Sequence, residues 1–113
     1  MNKSHVQKLA LALPETSEEP HFDRTSFRVH GKIFATMIPT EDFLNIMVGD
    51  AVREPALNMY SNCAEPLFWG KKVSGLRVNL LKATPTIVAE LLEQAWCGKA
   101  PRALVKQFRD RTE

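Results

Sequence analysis

Between Ser26 and Ile38 the chain alternates, turns on a glycine and runs extended again, a pattern that few folds accommodate. Side chains of a strand repeat every two residues, so Phe27 and Val29 share one face and Arg28 and His30 the other. Ile33 to Ile38 continues in β-branched and aromatic residues. His30-Gly31-Lys32 lies between, and Gly31 can take the positive φ that a tight hairpin turn demands. The stretch predicts a β-hairpin with one core face and one polar, partly cationic face. Ahead of it, Glu19-Pro20-His21-Phe22 reads as an entry turn, with His21 hydrogen-bonded inside it.

The flanking segments must cover that core face. Val6, Leu9, Ala10 and Leu13 make one apolar stripe of a helix over Lys3 to Leu13, and Ser4 with Gln7 fits a capping box. Pro14 ends it, and Pro14 to Glu19 reads as an acidic surface turn. A third strand is expected over Phe43 to Val48. Pro55 suits the first turn of a helix reaching Asn62, and Glu65-Pro66 breaks the chain again. Leu67-Phe68-Trp69, a basic loop from Gly70 to Gly75, and Leu76 to Leu80 form a second hairpin. Phe68 and Trp69 are expected in the core, as aromatics flanking a hairpin usually are. Thr84-Pro85 starts a helix whose broad stripe, Ile87 to Trp96, ends at Gly98, and Pro101 opens a last one. The order α-βββ-α-ββ-α-α predicts an α+β domain: two layers, a five-stranded antiparallel sheet with helices on one face.

With 113 residues, residues 1–113 are expected to form one domain around one core. The first residues lead into no apolar leader region, and no apolar run nears the roughly 20 residues of a membrane span. A cytoplasmic protein, with Cys63 and Cys97 reduced and no membrane contact, is the expectation.

Leu11-Ala12-Leu13-Pro14-Glu15-Thr16, Glu19-Pro20-His21-Phe22 and the run from Ser26 to Ala35 resemble the opening of the MmcQ/YjbR family of small bacterial proteins. The resemblance extends to Trp69-Gly70-Lys71, Arg77-Val78-Asn79-Leu80 and the helix from Glu90 to Trp96, and is weakest from Ile38 to Pro66. It implies a double-wing DNA-binding fold.

Charge clustering carries the functional expectation. Pro66 to Ala89 holds Lys71, Lys72, Arg77 and Lys82 and no acidic residue, although the whole chain carries a net charge of only +2. Duplex DNA favours such local excess because each neutralised phosphate releases condensed counterions. The expected partner is double-stranded DNA, bound weakly and without sequence preference by two basic hairpin wings. Arg28, His30 and Lys32 would serve one wing, Lys71, Lys72 and Arg77 the other, and Asn79 would face a base edge. Five phosphate contacts, from Arg28, Lys32, Lys71, Lys72 and Arg77, would give a log–log salt slope of about −4 to −5. The competing reading is an ordinary solvated sheet face, which also collects Lys and Arg. The alternative function is a protein- or small-ligand-binding module of the same fold.

Catalysis is not expected. The serines lack a nucleophile elbow, the cysteines lack a histidine-paired setting, and five single glycines build no phosphate loop. His5, His21 and His30 lack the ligand spacing of a metal site, so no metal or other cofactor is expected.

Overall fold

The computed structural model describes residues 1–112. In chain order it contains α1 (Lys3–Leu11), β1 (Thr16–His21), β2 (Arg24–Val29), β3 (Lys32–Met37), β4 (Phe43–Ile46), α2 (Asp50–Met59), β5 (Ala64–Trp69), β6 (Lys72–Asn79), α3 (Pro85–Lys99) and α4 (Arg102–Thr112). The strands form one open antiparallel sheet ordered β1-β2-β3-β4-β6-β5. The fold is α+β, with six strands where the residues suggested five.

The sixth strand corrects the acidic-turn reading. Thr16–His21 pairs with β2 from Thr16↔Val29 to His21↔Arg24. Pro20 and the carboxylates of Glu18 and Glu19 disguise it, yet these residues suit an outermost strand. A proline there forfeits no needed ladder bond, and charge deters further strands from adding. The opposite edge, β5, repeats the device with Glu65-Pro66, which was expected to break the chain and instead lies within the strand.

Both expected hairpins form. His30 and Gly31 take φ of +50° and +78°, so both central residues of the β2–β3 turn are left-handed, as a two-residue turn matched to strand twist requires. The expected basic loop from Gly70 to Gly75 is instead a two-residue turn, Gly70-Lys71, with β6 beginning at Lys72. Each hairpin carries one extra residue: Phe34 in β3 and Ser74 in β6 fall where the register shifts.

The pleat sends Phe27, Ala35, Ile46 and Leu76 to one face in register, and Met37, Leu44, Val78 and Ala64 beside them. Val6 and Ala10 of α1 and Val88, Leu91, Leu92, Ala95 and Trp96 of α3 join them in one buried cluster. Trp96 is fully buried, its indole N–H donates to Pro14 O at 3.0 Å, and Phe108 of α4 packs on its ring at 5.0 Å.

Three helix ends differ from expectation. Asn2 rather than Ser4 caps α1, its carboxamide oxygen accepting the His5 N–H at 2.8 Å. Helix α2 begins at Asp50, with the extended Gly49 as its cap, which places Pro55 inside it. Gly98 lies within α3, which runs to Lys99 and stops where Pro101 forces Ala100 extended. The Thr84-Pro85 start is as read, with Thr84 Oγ1 accepting the Ile87 N–H at 3.3 Å.

Cys63 and Cys97 are free thiols, and burial pushes both up from the usual 9.0. A hydrogen bond from the Tyr60 hydroxyl to Glu90 pushes that phenol up as well. The unfolded chain releases these protons first, so between the unfolded and folded values the native state holds more protons and stability falls as pH rises. Urea midpoints are therefore expected to decline above about pH 9 and to decline less in a Cys63→Ala, Cys97→Ala double variant.

Candidate nucleic-acid interface

Antiparallel pairing puts the His30-Gly31 and Gly70-Lys71 turns at the same end of the sheet. Lys32 follows the first turn, and Lys71 and Lys72 occupy or follow the second. All three are exposed and make no ion pair among the described residues.

The other expected cations are already engaged. One polar residue per strand lines up across the face away from the core: Glu19, Ser26, Thr36, Asn45, Arg77 and Glu65. Arg77 Nη1 donates to Glu65 Oε1 at 2.7 Å, Nη2 lies 3.5 Å from Glu41 Oε1, and the guanidinium stacks over Phe43 at 3.4 Å. Arg28 Nε donates to Ser26 Oγ at 3.0 Å and sits 4.0 Å from Glu19 Oε2. His30 Nε2 is 2.7 Å from Glu15 Oε1. Ion pairs this exposed contribute little to stability, on the order of 0–1 kcal/mol, but each leaves a carboxylate that would repel an approaching phosphate.

Asn79 closes β6 at the sheet end opposite the turns, and its Oδ1 accepts the Leu81 N–H at 3.0 Å. It does not share a surface with the wing lysines. Of the seven expected site residues, the structure brings together Lys32, Lys71 and Lys72 as free cations.

Phe68 and Trp69 overturn the core reading, being 58% and 78% exposed. They lie at the end of an edge strand, which β6 flanks on one side only. Phe22, absent from the sequence-based site, is 92% exposed and holds φ at +58° in the β1–β2 turn. A left-handed conformation costs an L-residue about 1–2 kcal/mol, and glycine avoids it. Phe22→Gly is expected to stabilise the fold by about 0.5–1 kcal/mol, read from urea unfolding.

Phe22 and Trp69 border one cleft of about 560 Å³, with Thr36, Ile33 and Met47 along it and Arg24 and Lys99 at its edge. A second cleft of about 430 Å³ adjoins it, sharing Met47, Ser74 and Lys99. Arg53, Lys72 and Asp50 line this second cleft. Neither was legible as a site, because the contributing residues are scattered through the sequence. The one local signal was Phe22 in a turn between Pro20 and Arg24. Among the described residues no three of His, Cys, Asp and Glu gather as metal donors, and no helix is long and apolar enough to cross a membrane.

None of the curated proteins matches this sequence. The crystal structure of the Deinococcus radiodurans protein DR2400, family-model domain DUF419, is similar with a TM-score of 0.72. The likeness covers 92% of this chain and 85% of that one at 19% identity, and at that identity it establishes shared architecture alone. The family model YjbR matches residues 11–97, from the end of α1 through both hairpins to the last turns of α3. That span takes in the whole sheet and most of the core, and the chain belongs to the YjbR family.

Proposed function

We propose that this chain is a non-catalytic DNA-binding protein that docks the sugar–phosphate backbone of a duplex against the hairpin-tip end of its sheet. The observation carrying the reading is that both turns project from one sheet end, with Lys32, Lys71 and Lys72 exposed and free of carboxylate partners among the described residues. Membership of a family whose fold is described as a double-wing DNA-binding fold points the same way. Because Arg28, His30 and Arg77 are engaged by Glu19, Glu15, Glu41 and Glu65, they are not counted as phosphate contacts. Three contacts give a log–log salt slope of about −2.7, shallower than five would. Affinity is then weak, with no side chain placed to discriminate bases at the wings. Fluorescence anisotropy of a labelled duplex across several salt concentrations tests this. A saturable isotherm with that slope supports it, and no binding at low salt overturns it.

The cleft beside Phe22 and Trp69 favours a second reading, a small-ligand module of the same fold. Its volume lies within the range of about 300–1,000 Å³ usual for ligand pockets. Saturable binding of a small molecule that survives loss of the wing lysines would favour it over the duplex reading.

A further inference from the structure

We propose that the two adjoining clefts together form a site for one nucleotide unit, its base in the Phe22–Trp69 cleft and its phosphate in the Arg53–Lys72–Lys99 cleft. The inference rests on the cleft of the second reading; Lys72 is shared with the duplex contacts, and Lys99, which is not, keeps the two tests apart.

The base half follows from the aromatics. Exposed Phe and Trp rings are uncommon on a surface that could bury them, and Phe22 stays exposed in a backbone conformation that favours glycine. Local strain kept at a concave surface points to use of the side chain rather than to stability. Trp69 borders the same cleft from the far hairpin. Any base offers a π-face to such a ring, and stacking of this kind tolerates every base. Asp23 on the lining supplies a hydrogen-bond acceptor for a base edge.

The phosphate half follows from charge brought in by three elements. Lys72 comes from β6, Lys99 from the end of α3, and Arg53 from α2. Arg53 is 8% exposed; its Nη1 donates to Val48 O at 3.3 Å and its Nη2 pairs with Asp50, while its buried Nε–H has no protein acceptor. With Arg53 paired to Asp50, Lys72 and Lys99 are the cations on this lining that make no ion pair among the described residues. Asp50 is the one carboxylate on the lining, so the cations remain in excess. Lys99 and Ser74 border both halves, and that shared border joins them into one site for an aromatic ring bearing a phosphate.

The two tryptophans make the test direct, because Trp96 is buried and Trp69 is exposed. Trp69 emission is followed while the full chain is titrated with adenosine monophosphate, adenosine, inorganic phosphate and an eight-residue single-stranded oligodeoxyadenylate. Adenosine monophosphate is expected to quench saturably, adenosine at least tenfold more weakly, and inorganic phosphate to compete without quenching. Quenching by the oligonucleotide but not the mononucleotide supports the site and assigns its ligand to a strand. Quenching by both assigns it to free nucleotide as well. Lys99→Gln should weaken the mononucleotide or strand at least fivefold while leaving the duplex salt slope unchanged. Phe22→Gly should weaken it similarly while raising the unfolding midpoint, an outcome a purely structural role for Phe22 cannot give. The proposal is overturned if neither mononucleotide nor strand quenches, or if adenosine and its monophosphate bind alike.

Discussion

Replacing Gly75 by alanine is expected to cost about 3 kcal/mol or more, a large share of the roughly 5–15 kcal/mol by which domains are stable. A methyl group at Gly75 would stand 2.1 Å from Ile46 O, 3.1 Å from Ile46 C and 3.3 Å from Met47 Cα. All three are backbone atoms of or beside β4, so no rotamer change relieves the contact; β4 and β6 must move apart. That separation would strain the Asn45↔Arg77 and Ile46↔Leu76 pairs at the centre of the sheet and open the core behind Leu76. Gly98→Ala is the matched control. Gly98 is helical with nothing near an added methyl, so alanine there should gain about 0.5–1 kcal/mol. Urea unfolding of both variants checks the pair, and a Gly75→Ala midpoint within error of the parent would refute the close β4–β6 approach.

Gly75 also shows why some of this fold was legible and some was not. Alternation revealed β2 and β6 because each has one apolar and one polar face, and Gly31 announced its turn because the backbone there needs a positive φ. The Thr84-Pro85 start of α3 was equally local. What escaped was set by neighbours in space. Thr16–His21 has no periodicity that marks a strand, and it is one only because β2 offers an unpaired edge. Pro20 and Pro66 suggested breaks, but at an edge a proline faces outward and the ladder survives. Gly75 looked like the end of a loop until β4 was placed beside it.

The candidate surface divides the same way. That Lys32, Lys71 and Lys72 belong to hairpin tips could be read from the turn residues beside them. That Arg28, His30 and Arg77 are taken up by carboxylates could not, since Glu15, Glu19, Glu41 and Glu65 come from other parts of the chain. Phe68 and Trp69 looked like core because aromatics usually are, and position at the tip of an edge strand reversed that.

The triple variant Lys32→Gln, Lys71→Gln, Lys72→Gln carries the largest functional effect. With three phosphate contacts the slope of log affinity against log salt is about −2.7, and with none it approaches zero. Extrapolated from 1 M to 50 mM salt, that slope accounts for about 3.5 decades of affinity, so the variant should bind a labelled duplex roughly three-thousandfold more weakly there. The difference should shrink as salt rises, because the missing contacts act through counterion release. Glutamine keeps the length and polarity of each exposed side chain, and none of the three makes an ion pair among the described residues, so the unfolding midpoint should hold within about 0.5 kcal/mol. Arg77→Gln serves as the contrasting substitution. It frees Glu41 and Glu65 and uncovers Phe43, so it should cost stability while changing the slope by less than one unit. If the triple variant keeps the parent slope and the Arg77 variant loses it, duplex is held by the polar row across the sheet and not by the hairpin tips.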